Sequence, residues 1–182
     1  AKQTDKDEKL IILYSSDKQA QHSYIEHAKN KGYEVLLLDS PIVSHLIQKL
    51  ESSKEKIQFA RVDSDHIDNL IDKNENKVSK LDDNQKKDLE ELVKSIIADD
   101  KYVIKLESMD SNENPFIITN PEFMRRMKEM QQTGGGGMFG AGNMPDMFNL
   151  VINTNSDLIS EIVNTKTKKK QERLINQSLD LA

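Results

Sequence analysis

The sequence predicts an α/β region followed by an α+β region, and three observations support this prediction. Short apolar runs alternate with helical patterns over residues 1–62. Residues 63–80 are then rich in Asp, Asn, Lys and Ser and carry few apolar side chains. Beyond them, a long amphipathic helix precedes further strand-like runs. We therefore predict a small parallel βαβαβ unit over 1–62, a linker over 63–82, and a mixed domain with a three-stranded sheet and C-terminal helices over 83–182.

The first region alternates strands with helices. Three apolar runs predict strands: residues 10–14, 35–38 and 57–62. Two helical patterns lie between them: residues 17–30 and 43–50. The first two strands are almost wholly apolar, which is typical of parallel strands with both faces covered. Gly32 is placed to end the first helix, and Pro41 is placed to begin the second.

The second region begins with an amphipathic helix over residues 83–98, predicted from the spacing of Leu89, Leu92, Val93, Ile96 and Ile97. Residues 102–106 and 116–119 are predicted strands, and the turn-forming residues between them predict an antiparallel hairpin. Asn120 and Pro121 are typical of a helix start. The predicted remainder is a glycine-rich segment at 133–142, a third strand at 148–152, and helices at 156–163 and 168–182.

Composition and charge narrow the classes of function. The net charge of -5 and a pI near 5.5 leave no overall basic field for a nucleic-acid backbone. The absence of cysteine excludes disulfides and thiolate sites, in agreement with a reducing compartment. The apolar runs are far shorter than the roughly 20 residues of a membrane span. We therefore expect a cytoplasmic protein with no nucleic-acid or membrane partner.

Four patterns resemble chemical sites, and for each the structural interpretation is stronger. The glycines at 134–137 follow a helix, whereas a phosphate-binding loop lies between a strand and a helix. Asp63, Asp65 and His66 lie close enough together to suggest a metal site, but the segment lacks the turn glycine and terminal Glu of a calcium loop, so we interpret its acids as solvated linker residues. Three further histidines show no ligand spacing: His22, His27 and His45. The lysines of 166–170 are interpreted as a solvated helix face, and we predict no catalytic, cofactor or metal site.

A methionine-rich helix face is the least ordinary feature of the sequence. Four side chains share this face: Phe123, Met124, Met127 and Met130. Methionine is flexible and polarizable, so such a face suits partners of variable shape. An apolar helix face is, however, more often packed against a sheet. The composition therefore leaves both partner contact and core packing open.

The two C-terminal helices have apolar faces that need a cover. The residues concerned are Leu158, Ile159, Ile162, Leu174, Ile175 and Leu179. Amphipathic helices of this kind at a chain end are typical of an intermolecular bundle. The pattern predicts a self-associating end.

Three blocks of the sequence resemble the bacterial 90-kDa heat-shock chaperones. They are Lys31-Gly32-Tyr33-Glu34-Val35-Leu36 with Pro41-Ile42, Pro115-Phe116-Ile117-Ile118-Thr119 with Met124-Arg125-Arg126-Met127, and Phe148 to Asn153 with the helices that follow. Together the blocks span most of the chain, in the family's order. Two places depart from the family pattern: Val43-Ser44 stand where Asp-Glu is common, and Thr154 and Ser156 replace the usual Pro and His.

The resemblance implies that residues 1–62 are the C-terminal end of the chaperone middle domain and that 83–182 is the C-terminal dimerisation domain, with its last helix truncated. Its final helices would be the dimerisation helices of a homodimer. The stretch Asn120 to Gln132 would face the cleft between protomers and contact non-native client proteins. The ATP site, with its magnesium, belongs to an N-terminal domain of the whole protein, so the resemblance implies no enzyme activity or cofactor in this fragment.

Two other functions remain open from the sequence. One is a purely structural dimerisation module, in which the methionine face is simply core. The other is a small α/β ligand-binding enzyme with its site near Tyr14 and Asp39, because open parallel sheets bind ligands at the carboxyl ends of their strands. No coherent catalytic set supports the enzyme.

Overall fold

The structure, a computed structural model, describes residues 2–40, 42–72, 77–97, 100–132 and 146–180, and the side chains of 129–132 lie outside the description. The chain forms two compact units. Unit 1 comprises Ala1–Glu75 and Asn120–Pro145, and unit 2 comprises Asn76–Thr119 and Asp146–Ala182.

The described residues form these elements in chain order: β1 (Leu10–Ser15), α1 (His22–Asn30), β2 (Val35–Leu37), α2 (Val43–Ser53), β3 (Ile57–Arg61), α3 (Ile67–Leu70), α4 (Asp83–Ile96), β4 (Tyr102–Glu107), β5 (Phe116–Thr119), α5 (Glu122–Gln132), β6 (Phe148–Asn153), α6 (Asp157–Asn164) and α7 (Lys168–Leu179). Unit 1 holds the first three strands with α1, α2, α3 and α5. Unit 2 holds the other strands and helices.

The sheet of unit 1 is fully parallel, in the order β2-β1-β3. Leu13 pairs with Val35 on one side of β1, and Leu10 pairs with Ile57 on the other. This arrangement confirms the predicted parallel βαβαβ unit. Because β1 is central, its side chains are covered on both faces, and this accounts for its almost wholly apolar sequence.

The first helix begins later than the sequence predicts, at His22 and not near residue 17. The buried Gln21 side chain is the reason, because its Oε1 accepts hydrogen bonds from Ser15 Oγ (2.8 Å) and from the backbone N–H of Ser16 (2.9 Å). The Asp17 carboxylate accepts two further backbone N–H groups in the same loop. Side-chain acceptors thus hold the loop in turns and compete with the helix.

Two apolar clusters lie in unit 1. One joins residues of β1, α1 and α3: it includes Ile11, Leu13, Ile25, Ala28, Ile67 and Ile71. The other joins β1, β3 and α2 through Tyr14, Val43, Ile47 and Phe59. Successive strand residues point to opposite faces, so Leu13 and Tyr14 enter different clusters. Residues 63–72, which the sequence predicts as the start of a linker, therefore supply core side chains.

The sheet of unit 2 is mixed, in the order β4-β6-β5. Strand β6 runs parallel to β4 and antiparallel to β5. The predicted hairpin between 102–106 and 116–119 is therefore wrong, because β6 lies between those strands. Leu150, Val151 and Ile152 are fully buried, whereas β4 carries Lys105 and Glu107. The most deeply buried strand takes the centre, where both of its faces are covered.

The core of unit 2 packs its helices against the sheet. Its fully or almost fully buried members include Leu89, Val93, Leu150, Ile152, Ile159, Ile162 and Ile175. Helix α4 begins with a capping box, in which the Asp82 side chain accepts from Asn84 and Gln85 N–H groups and the Gln85 side chain accepts from the Asp82 N–H. Such a cap fixes the helix start and contributes about 1 kcal/mol.

A buried polar turn connects β6 to α6. Asn153 Oδ1 accepts from the N–H groups of Met109 (3.2 Å) and Asn155 (3.0 Å). The Asn155 amide donates to the carbonyls of Val78 and Met109, and its Oδ1 accepts from Lys80 N–H (2.7 Å). Side-chain amides therefore define this turn. Thr154 and Ser156 are also buried, and Ser156 stands at the N-cap of α6.

Candidate functional site

Helix α5 is the candidate site, and it is attached to unit 1 by its charged face. Arg125 is only 8% exposed, whereas Phe123 is 71% exposed. Glu122, Arg125 and Arg126 are spaced by three and four residues, so they share one face of the helix. The most deeply buried described side chain of α5 is therefore a charged one, and its aromatic side chain is exposed.

The Arg125 side chain joins α5 to the central strand of the sheet. Its guanidinium donates to Tyr14 Oη at 2.6 Å and to the Glu122 carboxylate one helical turn earlier. The guanidinium also lies over the Tyr14 ring, 5.8 Å from its centroid. A planar guanidinium can hydrogen-bond and stack at once, and this makes Arg125 a suitable buried anchor.

Arg126 links α5 to α2 and to the outer edge of β3. It donates to Glu122 (2.7 Å), to Glu51 (2.8 Å) and to the backbone carbonyl of Phe59 (3.3 Å). Glu51 in turn accepts from the Phe59 N–H at 2.8 Å. The outward-facing backbone groups of Phe59 are therefore satisfied by two long side chains, where an adjoining strand would otherwise pair.

The electrostatics of this cluster favour the charged form of Arg126. Burial lowers the pKa of the Arg126 guanidinium, but hydrogen bonds and attraction from Glu51 and Glu122 outweigh burial and raise that pKa above its usual value. Arg126 therefore stays protonated at any pH at which the chain folds. Within the described residues, Glu122 Oε2 is buried without a hydrogen-bond partner. An unsatisfied buried carboxylate oxygen makes the cluster sensitive to loss of either arginine.

The four predicted contact residues differ in exposure. Phe123 is exposed, and Met124 and Met127 are partly buried. The side chain of Met130 lies outside the described residues. Phe123 also borders an open groove of about 470 Å³, whose wall includes Ile57, Gln58 and Glu55. An exposed aromatic ring beside a groove can contact a partner without any rearrangement of the unit 1 core.

The six residues predicted for self-association lie on α6 and α7, and they fall into two groups. Ile159, Ile162 and Ile175 are fully buried in the unit 2 core. Leu158, Leu174 and Leu179 are partly buried and pack against that core. The second group is the one that a partner could reach without unfolding the unit.

Several other sequence candidates have structural partners. Asp63 is not a solvated acid, because its carboxylate pairs with Arg61 at 2.6 Å while both side chains are largely buried. His66 is likewise buried, at the N-cap of α3. Lys170 pairs with Glu161 at 3.0 Å.

The two positions proposed for a ligand site in the enzyme alternative differ in their surroundings. Tyr14 is buried, and its hydroxyl bonds with Arg125. Asp39 is exposed. At the carboxyl end of β1, Ser15 and the following loop are bound to Gln21. These groups are engaged in holding the fold.

The charged anchor of α5 is the functional feature that the sequence prediction missed. The signal was available in the spacing Glu122, Arg125, Arg126, which sets an acid against bases at i+3 and i+4. Such a pattern usually indicates a solvated helix face. Only the placement of Tyr14 and Glu51 shows that this face is the buried one.

Comparisons with known proteins agree on one family. The sequence profile of the family described as Hsp90 protein matches residues 3–181. A chaperone protein HtpG of Bacteroides thetaiotaomicron is 44% identical over 164 residues, covering 88% of this chain and 24% of that protein. The HtpG of Bacteroides fragilis strain 638R is 42% identical over 92% of this chain, and that of Porphyromonas gingivalis ATCC 33277 is 38% identical over 94%.

The chain spans about a quarter of the length of these curated relatives. No helix in the described ranges has the length and apolar character needed to cross a membrane. The profile match covers almost every residue, and the relatives named as chaperones exceed a third in identity. This chain therefore belongs to the Hsp90 family of chaperones.

Proposed function

We propose that this chain is the C-terminal part of a cytoplasmic chaperone, comprising the end of the middle domain and the dimerisation domain. Its function is to bind non-native client proteins through α5 and to join two protomers through α6 and α7. No bond chemistry takes place in this part of the protein. The whole protein would add the domain that binds ATP and magnesium.

The exposure of Phe123 on an anchored helix is the observation that carries the client-binding role. An isolated surface phenylalanine needs no explanation by itself. Here, however, the same helix buries Arg125 and holds Glu122 and Arg126 in ion pairs. Replacing a buried ion pair by packed apolar side chains is often neutral or stabilising, so burial of the charged face gives the fold no advantage over burial of an apolar face. The orientation instead leaves apolar side chains available to a partner.

Binding of a labelled, unfolded model protein tests this role. The variant Phe123→Ser should weaken binding by about tenfold, the loss expected when a buried aromatic anchor is removed from an interface. Ile42→Ser is the matched control, because Ile42 is 68% exposed and also belongs to unit 1. Circular dichroism would check that both variants fold. If both variants bind the unfolded protein as tightly as the parent chain, Phe123 does not contact clients, and dimerisation remains the proposed function.

The dimerisation role is tested at Leu174, which is partly buried on α7. Leu174→Asp should shift the sedimentation velocity distribution from dimer towards monomer, because a carboxylate is unfavourable in an apolar interface. Arg173→Asp, at an exposed neighbouring position, is the control and should leave the distribution unchanged. If Leu174→Asp leaves a folded chain fully dimeric, α7 is not part of the interface.

A further inference from the structure

The outer edge of β4 presents unpaired backbone groups. Strand β4 pairs only with β6, in the register Tyr102 to Phe148 and Ile104 to Leu150. Phe148 N–H donates to the Lys101 carbonyl at one end of the pairing. In a parallel ladder of this register, the odd-numbered residues of β4 bond to β6, and the N–H and C=O groups of the even-numbered residues point away.

Three residues therefore form the β4 edge: Tyr102, Ile104 and Leu106. Within the ranges that the structure describes, their outward N–H and C=O groups have no hydrogen-bond partner. All three residues are partly exposed, so solvent reaches the strand. The donors and acceptors recur every two residues, about 6.8 Å apart, and only another extended backbone matches that repeat.

The side chains of β4 define what a partner strand must carry. Tyr102, Ile104 and Leu106 lie against the unit 2 core, so apolar side chains on a partner strand would extend that apolar face. On the opposite face, Val103 is 43% exposed and is followed by Lys105. A strand with apolar residues on one face and an acidic residue opposite Lys105 is therefore complementary in both hydrophobicity and charge.

We propose that the β4 edge binds an extended segment of a non-native polypeptide as a fourth strand of the unit 2 sheet. The partner is a segment of alternating apolar and polar residues with an acidic side chain placed opposite Lys105. Folded proteins pair or cover such segments, whereas a non-native chain leaves its backbone free to pair. The inference rests on the proposed chaperone function. To the side-chain contact at Phe123 it adds a second contact, which recognises the extended backbone of the partner.

Amide hydrogen exchange of the whole chain, residue by residue, tests the proposal. The probe is a short synthetic peptide in which valine alternates with glutamate and threonine. Saturating peptide should slow the exchange of Tyr102, Ile104 and Leu106 amides by about tenfold, as expected for newly bonded groups. Val103 and Lys105 amides, which already face β6, should not change. This alternation distinguishes strand addition from side-chain docking on the same surface.

Two controls make the result decisive. The same peptide with every backbone nitrogen methylated cannot donate backbone hydrogen bonds, and it should no longer protect the β4 edge from exchange. The variant Leu106→Pro removes one outward N–H and leaves the bonds to β6 intact, so it should weaken binding of the unmodified peptide. Binding that persists with the methylated peptide would overturn the proposal.

Other outcomes separate this inference from the proposed function. Peptide-induced protection of α5 amides alone would overturn strand addition and would support client binding at Phe123. Protection at Tyr102, Ile104 and Leu106 that rises with protein concentration, without peptide, would assign the edge to a second copy of the chain and overturn a client partner. Protection at the β4 edge that survives Phe123→Ser would support strand addition even if α5 binds no client.

Discussion

Two edge strands of this chain solve the same problem differently. Strand β3 of unit 1 exposes the backbone of Phe59 at its outer edge, and the side chains of Glu51 and Arg126 satisfy it. Strand β4 of unit 2 exposes Tyr102, Ile104 and Leu106, and no side chain of the described residues satisfies their outward backbone groups. Open edges are sites of strand addition, and natural proteins usually cover them. The comparison shows that a helix can close an edge with long charged side chains.

The covered edge has a consequence for the surface of unit 1. Because α5 turns its charged residues towards β3 and α2, Phe123 is left exposed. Closing the edge and presenting an aromatic side chain are thus two results of one orientation. In unit 2, by contrast, the outer edge of β4 leaves backbone groups available to a partner.

The largest expected effect comes from removing the charged anchor of α5. Glu122→Ala leaves Arg125 and Arg126 without their shared carboxylate, so the free energy of unfolding of unit 1 should fall by about 3 kcal/mol. Phe123→Ala removes an exposed ring and should change it by less than about 0.5 kcal/mol. Urea unfolding followed by amide signals of unit 1 measures both. A larger loss of unfolding free energy for Phe123→Ala than for Glu122→Ala would contradict the burial of the charged anchor.

A smaller effect is expected from uncovering the β3 edge alone. Glu51→Ala removes the acceptor of the Phe59 N–H and one partner of Arg126, and an unsatisfied buried group costs about 1 to 3 kcal/mol. Glu55, on the rim of the same groove, is exposed, so Glu55→Ala should have almost no effect. Thermal unfolding of the two variants compares them directly. Equal destabilisation would show that general charge near the groove matters and that the hydrogen bond to Phe59 does not.

Hydrogen exchange in the free chain should distinguish the two edges without any substitution. Tyr102, Ile104 and Leu106 amides should exchange at least about tenfold faster than the Phe59 amide, which Glu51 protects. The alternate amides of Val103 and Lys105 should be slow, because they face β6. Uniform protection along β4 would mean that its outer edge is covered, and the contrast between the edges would disappear.

The smallest expected effect concerns alkaline pH and unit 1. Burial raises the pKa of Tyr24, and the negative charge of Asp63 raises it further. The unfolded chain therefore loses this proton first as the pH rises above about 10, and the free energy of unfolding falls through that window. Below pH 10 the contribution is fully present. In Tyr24→Phe the free energy of unfolding should fall less over this window, as measured by urea midpoints near pH 9 and about pH 11. An equal fall in variant and parent would contradict the raised pKa of Tyr24.

Much of the fold follows from local sequence patterns. The parallel sheet of unit 1 was predictable because its apolar runs are separated by helical patterns long enough to cross over. The hairpin of unit 2 was not excluded by sequence, since the residues between Glu107 and Phe116 do form turns. The pairing was decided by β6, whose buried Leu150 to Ile152 make a better centre than β4. That choice depends on competition between distant strands, which periodicity does not report.

The candidate site was predictable in part. The spacing of Phe123, Met124 and Met127 correctly predicted a helix, confirmed as α5. Which face of that helix is buried was not predictable, because hydrophobic periodicity assigns the apolar face to the core. The opposite outcome requires the Tyr14 hydroxyl and the Glu51 carboxylate, which come from elements far away in sequence.

The central position of β6 also constrains when unit 2 can fold during synthesis. Strands β4 and β5 each pair with β6 and not with each other, and β6 follows both of them in the sequence. A growing chain must therefore carry both earlier strands unpaired until residue 153 has emerged. The sheet forms late and through non-local contacts, and such topologies fold slowly and expose strand edges on the way. Until the sheet forms, this segment is itself a non-native polypeptide, which is the kind of chain that it is proposed to bind.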